Sequence, residues 1–294
     1  MQQSIFAFLL AFVLSLLLCA LAIPLLRRLG GQHILVYVKE HRQKEGTPTM
    51  GGLAFVFAAV IAALVCVRGA DKPFWVALSV GLGYLVVGFL DDFLKKRRGS
   101  NLGLRAYQKI VFQLGVAVIA SIYCCLEGMT VLRIPYTHLA FDIGWWMLPL
   151  GVFVFVATVN GVNLTDGLDG LAGGVSAVFF LSLAMLLGVQ AESAPLSVLC
   201  ICLTGALAAY LLFNTSRAFL FMGDTGSLAL GGFVAGLLVS GLTAGLIGAV
   251  LFAWGWQKAR GGGSTAQAVA LAYWHLPADF FLRVPQSARR HFIG

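Results

Sequence analysis

Charged side chains are scarce in this sequence. Asp, Glu, Lys and Arg together make up 11% of its 294 residues, and only twelve residues are acidic. A water-soluble domain carries about 25% charged residues. With 60% hydrophobic residues and a mean hydropathy of +0.91, this chain lacks the polar surface of a soluble protein. Cysteine is sparse too. Cys19, Cys66, Cys124, Cys125, Cys200 and Cys202 all fall inside apolar stretches, with no paired ligand spacing and no neighbouring His, so they read as small packing residues and not as a zinc site. No stretch alternates apolar and polar residues, which excludes a membrane β-barrel. No basic stretch is interleaved with exposed aromatics on a soluble domain, so nucleic acid is not an expected partner.

What the chain does have is a series of apolar runs of membrane length, roughly 17 to 25 residues each. They cover about 4–26, 50–67, 74–90, 110–126, 143–159, 171–189 and 196–213, and a longer one covers 227–254. Lipid offers the backbone no hydrogen-bond partner, so each run is expected as a helix. The fold class is therefore all-α: a polytopic helical integral membrane protein with about eight to nine transmembrane helices. The first run follows Met-Gln-Gln with no basic residue before it and is longer than a signal-peptide core, so it reads as a retained span. Glycines such as Gly81, Gly83, Gly88, Gly231, Gly232 and Gly236 read as points of close helix approach.

Charge asymmetry sets the expected orientation. Connections 27–49, 91–109, 160–170 and 214–226 alternate to one face and carry twelve Lys and Arg, against Arg68, Lys72 and Arg133 opposite. The richer face is expected in the cytoplasm, with the amino terminus outside and the net charge of +8 drawn to anionic lipid.

Five of the twelve acids gather on that cytoplasmic face: Asp91-Asp92, Asp166 and Asp169 within Asn163-Leu-Thr-Asp-Gly-Leu-Asp169, and Asp224 within Met222-Gly-Asp-Thr-Gly-Ser227. Such a concentration suits a divalent cation and a phosphorylated substrate. Asp91 and Asp92 precede the basic run Lys95 to Arg98, so ordinary surface pairing is one reading of them. Like-charge repulsion that makes one acid a base or metal ligand is the other. If Asn163, Asp166 and Asp169 are helical at the start of the sixth span, their spacing places them on one stripe. Gly46-Thr-Pro-Thr-Met-Gly-Gly52 opens the second span. Thr49 could be its N-cap, or Lys44, Thr49 and the helix-start amides could hold phosphate. Asp224 likewise could cap its helix or coordinate magnesium, and Phe219 and Phe221 could stack on a base.

In order and spacing over about residues 1–250, the motifs Thr47-Pro-Thr-Met-Gly-Gly, Asp91-Asp92, Asn163 to Ala172 and Phe221-Met-Gly-Asp-Thr-Gly-Ser227 resemble those of the polyprenyl-phosphate N-acetylhexosamine-1-phosphate transferases (glycosyltransferase family 4). The form of the Asn163 to Ala172 motif is most similar to the bacterial branch acting on UDP-MurNAc-pentapeptide. The resemblance implies transfer of phospho-MurNAc-pentapeptide from its UDP carrier to undecaprenyl phosphate, with Mg²⁺, forming lipid I and UMP at the bacterial inner membrane for peptidoglycan synthesis. It implies catalytic roles for Asp91, Asp92, Asp224 and His291. Lys44, Thr49, Lys109, Asn163, Asp166, Asp169, Asn214, Phe221 and Gly223 would bind substrate, and Asp224 and Asp166 would bind metal. Membrane lipids are the surroundings, and a homodimer is compatible with the family.

The expected transferase membrane domain spans 1–254, followed by a divergent tail, 255–294. The family carries three consecutive histidines and then Phe before a final span. This chain reads Arg289-Arg290-His291-Phe292-Ile293-Gly294 there, preserving at most His291, and Gly255 to Ser264 replaces the apolar continuation of a ninth helix. Truncation, a changed reading frame and divergence are all open explanations, and reduced activity is expected. A carrier is disfavoured because it would hold its acids near the bilayer midplane, not at span ends. Two other readings stay open: a UDP-N-acetylglucosamine:undecaprenyl-phosphate transferase, and a catalytically impaired relative with a binding role.

Overall fold

The computed structural model describes residues 2–28, 47–98, 103–133, 140–188, 193–215 and 218–240. Lys44, the tail from 255, His291 and the expected ninth helix lie outside the described residues.

Eight α-helices account for almost all of what is described: α1 (Gln2–Arg28), α2 (Gly52–Cys66), α3 (Lys72–Arg97), α4 (Ala106–Leu126), α5 (Met147–Thr165), α6 (Leu171–Gly188), α7 (Ala194–Asn214) and α8 (Gly223–Ser240). Between α4 and α5 lies an antiparallel hairpin of β1 (Val131–Arg133) and β2 (Ala140–Asp142), with Val131 opposite Asp142. Six of the helices are long and apolar enough to cross a membrane, while α2 and α8 are shorter apolar helices. This is a polytopic helical membrane protein.

The termini of α3 show how the sequence fixes a span. Asp71 caps its start, with Oδ1 accepting from the Phe74 amide at 3.0 Å, and a proline sits in the first turn, where no amide partner is lost. Lys95, Lys96 and Arg97 close the last turn, where cations meet the negative end of the helix dipole.

At the centre of the bundle stands α8. Its residues from Thr225 to Val239 are all buried, and it packs against α3 most extensively, then α5 and α2. Lipid provides no hydrophobic drive between helices, so close backbone approach has to hold them together. Gly231 lies against the backbone of Val159, Gly232 against Tyr84, and Gly236 against Ala77. The exposed apolar side chains of α1 and α4, among them Leu21, Leu25, Val111 and Ile119, form the surface suited to acyl chains.

Seven helix ends meet at one end of the bundle: the starts of α2, α4, α6 and α8 and the ends of α3, α5 and α7. Side-chain and backbone hydrogen bonds tie each of them to another. The opposite end holds the Lys72–Glu127 ion pair and the bond from Gln3 Nε2 to the Cys66 carbonyl, 2.8 Å. The alternation of spans that the sequence implied therefore brings the acidic motifs to one end.

Candidate active site

Asp91 and Asp92 do not sit in a loop. Helix α3 continues to Arg97, so both lie inside it, and they are 2% and 3% exposed. That burial removes the reading of a solvated surface pair, because a carboxylate held this far from water needs partners. The helix itself supplies one. Lys95, at three and four residues' spacing, places Nζ 2.6 Å from Asp91 Oδ2 and 3.7 Å from Asp92 Oδ1.

The other oxygens are held by the scaffold. Asp91 Oδ1 accepts from the Leu104 amide at 2.7 Å. Asp92 Oδ2 accepts from the Thr225 amide at 2.8 Å and from its hydroxyl at 2.6 Å. Asp92 therefore satisfies an amide at the start of α8 from a different helix. Asp224, in the first turn of α8, is thereby released from the capping role open to it: its carboxylate pairs with Lys95, accepts from Asn163 Nδ2 and lies 3.3 Å from Lys109 Nζ. The approach depends on Gly223. Its φ of +72° is the left-handed conformation that glycine adopts without strain, and a Cβ there would press on Asp92 Oδ2 and stand 2.7 Å from Thr49 Oγ1.

Lys109, at the start of α4, donates to Asn163 Oδ1 at 3.0 Å, and Asn163 Nδ2 also reaches Ser227 Oγ at 2.7 Å. One turn deeper, Asn160 and Gln113 pair side chain to side chain, with Nδ2 to Oε1 at 2.8 Å, and join the same two helices.

The expected stripe of Asn163, Asp166 and Asp169 is not formed. Asn163 belongs to the last turn of α5, that helix ends at Thr165, and Asp166 and Asp169 occupy the turn before α6. Gly170, with φ +75°, marks the break, and its amide donates to Asn214 Oδ1 at 2.8 Å. Asn214 is buried with both ends engaged, since Nδ2 donates to the Leu220 carbonyl at 2.9 Å. It clasps the turn before α6 to the segment before α8.

Asp166 lies near the acids of α3 and α8. Desolvation first, then the charges of Asp224, Asp92 and Asp169, hold its carboxyl well above the ordinary carboxylate range. A raised carboxyl pKa destabilises the fold once pH passes the value in the unfolded chain, because only the unfolded chain then ionises freely. Asp166→Asn is therefore expected to have a higher thermal midpoint than wild type at about pH 7 and the same midpoint near pH 3. Equal midpoints at both pH values would contradict this.

The segment before α2 closes the site from another side. Phe221 donates to the Pro48 carbonyl at 2.8 Å, Gly51 to the Phe221 carbonyl at 2.9 Å, and Gly52 to the Met222 carbonyl at 3.1 Å. Thr49 is not the N-cap of α2: Gly51 holds that position, without a side-chain cap bond. Phe221 is partly buried by this ladder, whereas Phe219 is exposed.

Oxygens of Asp91, Asp92 and Asp224 lie within 4.8 Å of one another. Octahedral Mg²⁺ binds oxygen at about 2.0–2.1 Å, so its opposite ligands stand roughly 4.2 Å apart. The all-carboxylate donor set and its near-fitting dimensions suit such a cation, and the ammonium of Lys95 already marks the position as one favourable for positive charge. Asp166 stands outside this triad. Lys95 is the site residue that the sequence reading passed over as part of a basic run. Its spacing from Asp91 and Asp92 was the available signal.

A family model described as glycosyl transferase family 4 matches residues 74–242, more than half the chain. The chain belongs to this family. A model described as phospho-N-acetylmuramoyl-pentapeptide-transferase signature 1 matches residues 44–56, which include Pro48, Gly51 and Gly52 of the ladder to Phe221 and Met222. Relatives of that name narrow the placement within glycosyl transferase family 4. That of Oceanobacillus iheyensis is 41% identical over 236 residues, covering 78% of this chain and 72% of the relative. That of Shouchella clausii is 42% identical over 243 residues (80% and 74%), and that of Bacillus subtilis 39% over 244 residues (81% and 75%). A further model, described as TraL protein, matches residues 206–293, which include the tail. The family 4 match stops before it.

Proposed function

We propose that this member of glycosyl transferase family 4 transfers phospho-MurNAc-pentapeptide from its UDP carrier to undecaprenyl phosphate, releasing UMP and forming lipid I. The convergence of Asp91, Asp92 and Asp224 beside Lys95 and Lys109 carries the reading. An oxygen of the lipid phosphate attacks the sugar-bearing phosphorus of the donor, a new phosphoanhydride bond forms, and the bond to UMP breaks. Such a transfer needs in-line positioning and charge neutralisation more than a special nucleophile. Bound Mg²⁺ would neutralise charge on the donor pyrophosphate.

Asp224, with Asp91 and Asp92, would hold that cation, and Asp166 would lie at its margin. Lys109 and Asn163 hold Asp224 in place, and Lys109 would present a cationic donor to phosphate oxygens. Thr49, Gly223 and Phe221, beside the ladder before α2, would form the side of the site that receives the nucleotide, with Lys44 and Asp169 contributing to it and Asn214 positioning the turn before α6. The test uses purified full-length protein, undecaprenyl phosphate, Mg²⁺ and either UDP-MurNAc-pentapeptide or UDP-N-acetylglucosamine. UMP release with the first donor only is expected. Release with the second only would overturn the choice of sugar, and release with neither would overturn the activity.

We also infer that this site faces the cytoplasm of the bacterial inner membrane, on the asymmetry of Lys and Arg between the two sets of connections. Single cysteines at Arg105 and Thr215 should resist a membrane-impermeant maleimide in intact cells, whereas one at Trp146 should react. The opposite pattern would reverse the orientation.

A further inference from the structure

Each carboxylate of the triad has one oxygen held by the scaffold and one turned toward a common point. The held oxygens are Asp91 Oδ1 on the Leu104 amide, Asp92 Oδ2 on the amide and hydroxyl of Thr225, and Asp224 Oδ1 on Asn163 and Lys109. The three remaining oxygens, Asp91 Oδ2, Asp92 Oδ1 and Asp224 Oδ2, all face Lys95 Nζ. An ammonium has three N–H donors and no acceptor, on a flexible four-carbon stem. It can satisfy this tripod, and it can also leave it. The Lys95 side chain retains 25% of its exposure, so it is not enclosed on every side.

We propose that Lys95 is a tethered surrogate for the divalent cation: it holds the tripod together in the metal-free protein and is displaced when the cation binds. The inference rests on the metal-dependent transferase reading and deepens it. Formal charge favours exchange over co-occupancy. Three carboxylates with Lys95 and Lys109 sum to −1. A divalent cation added beside Lys95 brings the sum to +1, with two cationic groups crowded at one point. The same cation in place of Lys95 brings it to 0. Lys109 does not compete, because it approaches Asp224 through the scaffold-held oxygen. The displaced ammonium moves to the open face, where an anionic phosphate group is the partner its charge suits. Metal binding thus switches one lysine from a structural counter-ion to a substrate-facing cation.

The experiment titrates purified full-length protein with Mn²⁺, reading free Mn²⁺ by electron paramagnetic resonance, for wild type, Lys95→Gln and Lys96→Gln. Removal of the competitor should tighten Mn²⁺ binding by about tenfold or more. Lys96→Gln, which removes the same charge one residue along the helix, should change binding by about twofold at most. In chelator Lys95→Gln should melt below wild type, and saturating Mn²⁺ should close that gap. Unchanged or weaker Mn²⁺ binding by Lys95→Gln would overturn the proposal. A second measurement needs no variant: reductive dimethylation of wild-type protein, quantified by mass spectrometry, should label Lys95 several-fold more with Mn²⁺ than in chelator, and equal or lower labelling would count against displacement. Failure of the underlying reading looks different. Wild-type UMP release that ignores divalent cations would remove the metal site itself, whereas metal-dependent release with an unresponsive Lys95 would remove only the exchange.

Discussion

Asp224→Asn is expected to lower UMP release by about a hundredfold or more at equal amounts of folded protein. The substitution keeps the shape of the side chain and leaves Oδ1 able to accept from Asn163. What it removes is the charge at the oxygen that faces the triad's common point, and with it the strong attraction for a hard cation. An amide in that position also offers N–H groups toward Asp91 and Asp92, which are acceptors. Neither acid can rotate to compensate, because each has its other oxygen committed to a backbone amide. Asp142→Asn provides the control. That residue is exposed and hydrogen-bonded to Thr130 and the Gly144 amide, in the hairpin at the other end of the bundle. Wild-type turnover by a folded Asp224→Asn protein at limiting Mg²⁺ would sink the assignment.

A single methyl group at Gly52 is expected to damage both stability and turnover. A Cβ there would fall inside the backbone of α8, overlapping Gly226 N and Cα and standing 2.9 Å from the Thr225 carbonyl carbon. Backbone atoms cannot move aside as a flexible side chain can, so the starts of α2 and α8 must part. Overpacking of this kind costs about 1–3 kcal/mol, and each kcal/mol moves the midpoint of a chain this long by roughly 2–4 °C. Gly52→Ala should therefore melt about 2–12 °C below wild type. Displacing α8 also pulls Thr225 from Asp92 and moves Asp224, so UMP release should fall by about tenfold or more. Gly115→Ala, whose Cβ would meet nothing within 4 Å in the middle of α4, should leave both unchanged or raise the midpoint slightly. A Gly52→Ala protein with wild-type melting and turnover would refute the close-approach account.

The spans were legible from sequence for a reason peculiar to this solvent. Lipid forces every backbone polar group to pair within its own helix, so apolar length alone announces each crossing. Counting crossings then assigns each polar junction to one end or the other. The acids of α3, the α5–α6 turn and α8 could be brought to one end with no knowledge of packing. The motifs that resemble those of the family lie at these same junctions.

Within that end the sequence carried less. The spacing of Asn163, Asp166 and Asp169 fitted a helical stripe, but α5 stops at Thr165 and Gly170 turns the chain, so Asn163 donates to Asp224 from a helix while the two acids sit in the turn. Asp224 and Thr49 both had the residue types of helix caps, yet the α8 amide is taken by Asp92 from a helix more than a hundred residues earlier, and Gly51 begins α2. Lys95 looked like one member of a basic run facing headgroups.

By itself, then, the sequence determined that this is a helical membrane protein with its acids at one end, because the bilayer turns composition into topology. The tertiary structure alone decided which three acids share a cation-sized space and which lysine stands in it. Those relations depend on glycine-mediated approach between α2, α3 and α8: local spacing joins Lys95 to Asp91 and Asp92, but only packing brings Asp224 to them.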